Sequence, residues 1–175
     1  MEDVWLIPVE LSAQHSLEMF ISQFKKAETK LLKKGTAGLL FKLRLALGKL
    51  LGWDAQPDPN REGSIRLLYA RQKGLTVSQL PHPGNEMFVP VFQLENEVLS
   101  EIENDTVHAT LHFGRVPIRE NVWGIQMAVL VKPKGWFGKA YMLFIKPFRL
   151  WIVYPAMMRA ASKMWKQFLA SQSQY

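Results

Sequence analysis

The sequence predicts an α+β fold in which a curved antiparallel β-sheet wraps around a long C-terminal helix. Three observations point there. From Asn85 onward apolar residues recur with period two over short runs separated by turn residues. Residues 147–171 then return to alternating spacings of four and three, the mark of one helical face. The first 53 residues divide into one β-prone run and two helical stripes.

Taken in order, VWLIPV at 4–9 reads as a short strand, with Pro8 tolerable on a sheet edge. Ser12 is placed to cap a helix carrying Leu17, Phe20, Ile21, Phe24, Leu31 and Leu32, which Gly35 ends. Thr36 opens a second helix, where Leu39, Leu40, Leu43, Leu47, Leu50 and Leu51 oppose Lys42, Arg44 and Lys49. Gly52 and the loop DAQPDPNREG at 54–63 close it. Residues 54–84 read as a connecting segment, in which SIRLLYARQ fits a short helix or a strand and LPHPGN a loop.

The meander is expected over 85–146. Its strands are FVPVFQL, EVLSEIE, TVHATLHF and NVWGIQMAVLV, separated by Glu95-Asn96, by Asn104-Asp105 and by a GRVPIRE loop at 114–120. KPKGWFG at 132–138 supplies the next turn, and KAYMLFI at 139–145 the last strand. The final helix, 147–171, has Pro147 in its first turn, while Pro155 removes one backbone hydrogen bond and predicts a kink.

Composition bounds the function. A chain of 175 residues, 48% hydrophobic and 21% charged, suits one domain with a sizeable core. The lack of cysteine excludes disulfides and thiolate chemistry and fits a reducing compartment, with the cytoplasm as the default. MEDVWLIPVE has no basic stretch before its apolar run and does not read as a secretory signal. The net charge of +7 is unevenly distributed. Residues 25–50 hold eight bases against Glu28, residues 85–105 six acids and no base, and residues 121–175 eight bases and no acid. Basic faces attract anionic membranes or nucleic acid, but the basic residues carry no nucleic-acid reading motif and the acidic segment would repel phosphate.

His108 and His112 stand four apart, as zinc ligands on a helix do. Here they alternate with Val107, Ala109, Leu111 and Phe113, so the segment is a half-buried strand. Four residues along a strand separate same-side groups by roughly 13 Å, too far for one ion, and Ala109 stands where a zinc peptidase needs its glutamate. No metal is expected. Both histidines are expected on a solvated face, with His108 retained as a candidate acid or base. The carboxylates Glu95, Glu97, Glu101, Glu103 and Asp105 are expected to keep an edge soluble. No GxSxG, Walker loop or GxGxxG follows a strand, and no cofactor is expected.

The aromatic and methionine side chains carry more. Leu111, Trp123, Met127, Tyr141, Leu143, Trp151, Met157 and Met158 are the expected lining of an apolar pocket between sheet and C-terminal helix, since methionine fills irregular space adaptably.

Strand, two helices, meander and long helix is the order of the helix-grip (START-like, SRPBCC) proteins. NDTVHATLHFGRV (104–116) and QMAVLVKPKGWFGKAYMLFIKPFRLWIVYPAMMR (126–159) resemble the C-terminal half of a bacterial family, domain of unknown function 2867 (DUF2867). Gly138, Tyr141, Pro147, Phe148 and Arg149 match its G-x-x-Y and P-F/H-R pattern, and His108 its strand histidine. The resemblance implies a helix-grip ligand-binding module and no established reaction. The expected partner is a small apolar or amphipathic molecule. A cyclase-like or hydratase-like enzyme using His108, Tyr141 or Arg149 is the rival reading, and a peripheral membrane or lipid-transfer protein, with residues 25–50 and Trp136-Phe137 as contacts, the third.

Overall fold

The computed structural model describes residues 2–33, 58–83 and 88–172. The helix expected over 36–51 and the first four residues of the loop at 54–63 lie outside them. Among the described residues five strands form one open antiparallel sheet: β1 (Glu2–Ser12), β2 (Val89–Gln93), β3 (Glu97–Glu103), β4 (Val107–Arg119) and β5 (Val122–Pro133), in the order β1-β5-β4-β3-β2. Helix α1 (Leu17–Lys33) follows β1, and α2 (Ile65–Lys73) precedes β2. A single 38-residue helical run closes the chain: α3 (Gly135–Phe148), a π-helical turn (Arg149–Val153) and α4 (Tyr154–Gln172).

The period-two alternation folds as expected, with corrections. β4 does not stop at Phe113: GRVPIRE continues the strand to Arg119, and the hairpin turns instead at Glu120-Asn121, where Asn121 adopts φ 56°. A two-residue turn with positive φ matches strand twist better than a seven-residue loop. Ser12 is the last residue of β1, and the helix cap is Ser16, whose Oγ accepts the Met19 N–H at 3.1 Å. SIRLLYARQ is helical, with Ser64 as N-cap to the Leu67 N–H and Gly74 as left-handed C-cap at φ 66°.

The larger correction lies at 132–148. KAYMLFI is not a strand and the meander ends at Pro133; the last helix begins at Gly135, so Pro147 is internal to it. Gly138 and Met142, four apart, face the sheet and are buried, a helical relationship. The approach is close: a Cβ on Gly138 would stand 2.3 Å from the Thr106 carbonyl oxygen. That carbonyl also accepts the Lys134 N–H, fastening the start of α3 to the β3–β4 turn. The irregularity expected from Pro155 is the π turn just before it. A proline ring clashes with the carbonyl four residues back, here that of Trp151, and the wider turn accommodates it.

The main core lies between one face of the sheet and helices α1 and α4. Trp5, Met127, Phe113 and Val98 are cross-strand neighbours on that face. Phe20 and Phe24 of α1 and Trp165 of α4 close over it, with Phe20–Trp165 and Phe24–Phe113 in edge-to-face contact at 5.8 and 4.9 Å. α4 runs beside α1 and along the sheet edge at β1, where Ser162 Oγ donates to Pro8 O and Trp165 Nε1 to Glu10 O. These bonds cover backbone that an edge strand otherwise exposes.

Candidate functional site

Register places a second row of side chains beside the buried one. Asp3 pairs with Val129, Val129 with Leu111, and Leu111 with Ser100, two residues along each strand from the Trp5–Met127–Phe113–Val98 row and therefore on the same face. Leu111 and Val129, with Leu150 and Met157 of the helical run, are only partly buried and pack against the main core. Val129 also packs against a smaller cluster of Ala109, Val131 and Met142. The middle of the row, Leu111 and Val129, thus belongs to an apolar seam between the two cores.

A polar group bounds the seam at β1. Arg149 Nη2 donates to Asp3 Oδ2 at 2.5 Å, the Tyr154 hydroxyl donates to the same oxygen at 3.1 Å, and the guanidinium lies 5.7 Å from the Tyr154 ring centroid. Burial pushes the Tyr154 phenol well above its usual range; Arg149 opposes this and Asp3 reinforces it. Trp5 stacks obliquely on Tyr154 at 5.4 Å.

Of the eight expected lining residues, Leu111 and Met157 belong to the seam, and Met127 and Met158 lie in the buried core beside it. Tyr141 packs against the smaller cluster. Trp123 lies further along β5 with the Arg115 guanidinium 4.0 Å over its ring. Leu143 and Trp151 are not brought in: they are 70% and 77% exposed on the outer side of the helical run. Sequence reasoning omitted Asp3, Val129 and Leu150, although Leu150 and Tyr154 stand on the apolar stripe of the last helix and Val129 on the alternating face of β5.

His108 lies on the opposite face of the sheet, one position from Ala109, so it does not meet Tyr141 or Arg149. It is not simply solvated. Its Nε2 stands 2.9 Å from Glu101 Oε2 and its Nδ1 3.4 Å from Glu103 Oε2. Glu101 is not an edge carboxylate either, being 4% exposed. Its oxygens accept the Ile65 and Arg66 backbone N–H groups at 2.9 Å each, where the N-terminus of α2 favours negative charge. Arg66, 1% exposed, reaches Asn60 Oδ1 and the Pro90 carbonyl; its burial lowers its pKa, against the pull of Glu101. Glu103 takes both Arg61 and Lys134. Burial lowers the Lys134 pKa, and Arg61 on the same carboxylate adds to the effect. With β3 carboxylates at both ring nitrogens, His108 ties β4 to β3, and Glu101 carries the connection on to the start of α2. Among the described residues no group of three or more His, Asp or Glu side chains is arranged to hold a metal ion.

No curated protein and no solved structure matches the chain. The family model described as "Protein of unknown function (DUF2867)" matches residues 1–156, nearly the whole chain. The chain therefore belongs to the DUF2867 family.

Proposed function

We propose that this protein is a helix-grip module that binds a small apolar or amphipathic molecule between its sheet and its C-terminal helical run. The observation that carries the reading is the half-buried seam of Leu111, Val129, Leu150 and Met157, apolar along its length and closed at one end by Asp3, Arg149 and Tyr154. Apolar lining with few convergent polar groups is the usual composition of a small-molecule site. The arrangement supports the same reading, because the strand order sets β1 beside the last strand and α1 and α4 pack on the same face of the sheet as the seam. His108 lies across the sheet and takes no part, so the reading is one of binding without proton transfer by a histidine.

Native mass spectrometry of gently purified protein, followed by titration with a fluorescent fatty-acid analogue, tests it. Saturable binding at one site per chain, weakened by Met157→Trp, which fills the seam, is expected. Absence of saturable binding, or binding indifferent to Met157→Trp, overturns it.

A further inference from the structure

The outer side of α3 and the π turn is apolar, and it faces solvent. Trp136 is 80% exposed, Phe144 70%, and Leu143 and Trp151 are exposed to the extent given above. At about 100° per residue, positions 136, 140, 143, 144, 147 and 151 fall within an arc of about 100°. That stripe reads Trp, Ala, Leu, Phe, Pro, Trp. Phe137 and Phe148 stand at its margin, in ring contact with Trp136 at 5.9 Å and with Phe144 at 5.8 Å. The inner side of the same helix is occupied, by Gly138 against Thr106 and by Met142 in the smaller core. The helix is thus fixed in place with a second apolar face left over, about 22 Å long at 1.5 Å per residue.

We infer that this face docks on the surface of an anionic lipid bilayer. Three features select that occupant. Exposed Lys139 and Lys146 flank the stripe on the same helix, and residues 121–175 contain no acid to oppose a negatively charged surface. Tryptophan stands at both ends of the stripe with phenylalanine and leucine between, the composition of a helix lying in the headgroup region. Lysine is depleted from protein–protein interfaces, which weighs against a second copy as the covering surface. Among the described residues no helix is long and apolar enough to cross a membrane, so the helix would lie on the bilayer.

The test is flotation of the full chain with vesicles of phosphatidylcholine alone and of phosphatidylcholine with about one-third phosphatidylglycerol. Association with the anionic vesicles, reduced by salt, and quenching of tryptophan fluorescence by brominated lipid are expected. Trp136→Ala with Trp151→Ala, or Lys139→Glu with Lys146→Glu, should weaken association about tenfold or more, with an unchanged circular dichroism spectrum. Flotation equal on both vesicle types, no flotation, or flotation indifferent to both double variants overturns the proposal. So does a lipid-free dimer that the tryptophan double variant dissociates, which would make a second copy the occupant. Flotation does not depend on a bound small molecule, so failure of the seam titration and failure of docking are separate results.

Discussion

Glu101 and Arg66 are bound to each other through backbone: the Glu101 carboxylate accepts the Arg66 N–H at 2.9 Å, while the Arg66 side chain turns away to Asn60 and to the Pro90 carbonyl on the edge strand. One acid on β3 therefore anchors the start of α2, and the anchored helix sends a guanidinium back to β2. Glu101→Ala strands buried Arg66 and two N–H groups together. A loss of about 3–5 kcal/mol in urea unfolding is expected, the range for removing one partner of a buried charged group. Glu101→Gln, which keeps one acceptor, should lose less.

Gly138→Ala is expected to destabilise by about 1–3 kcal/mol, as overpacking does. The obstacle is the Thr106 carbonyl, a backbone atom that also holds Lys134 and cannot rotate aside. Ala140→Gly, on the exposed side of the same helix, serves as control and should lose only about 1 kcal/mol through helix propensity. Equal losses would contradict the close contact.

Tyr154 sets an alkaline limit. Its folded pKa is raised, so above the ordinary phenol value of about 10 the unfolded chain releases a proton that the folded chain keeps. Unfolding then becomes more favourable as pH rises, and below that value the contribution is constant. Denaturation midpoints should fall above about pH 10 in the native protein more steeply than in Tyr154→Phe. Matching slopes would show the phenol to be solvated.

Trp165 joins three parts of the core: it meets Phe20 of α1, stacks with Phe168 at 5.2 Å and donates to Glu10 O of β1. Trp165→Ala should cost about 3–5 kcal/mol, measured by chemical denaturation. Trp165→Phe, which keeps most of the ring but loses the donor, should cost about 1–3 kcal/mol.

Much of this architecture is legible in the residues, and the failures have physical causes. β3, β4 and β5 declare themselves because one side of each is apolar and buried while the other carries Glu101, His108 or Gln126. KAYMLFI misleads because α3 is apolar on two sides: Met142 and Ile145 turn inward, but Leu143 and Phe144 turn to solvent, leaving no polar face to reveal a period near 3.6. Glu101 is misread as an edge residue because its partner Arg66 lies 35 positions away, in a stretch whose secondary structure is ambiguous in the sequence. The seam was half visible: Leu111 and Met157 are legible as inward-facing, whereas the Asp3–Arg149 pair joins positions 146 apart.

The placement of β1 at the rim of the sheet has a consequence for biosynthesis. Among the described residues its one strand partner is β5, and its outer carbonyls bond to Ser162 and Trp165. A nascent chain emerging from the ribosome exposes Ile7, Val9 and Leu11, which the finished fold buries, more than a hundred residues before either arrives. Closure over so long a separation is slow and invites aggregation. The β2–β5 hairpins can assemble from near neighbours, with the first strand threading into place last.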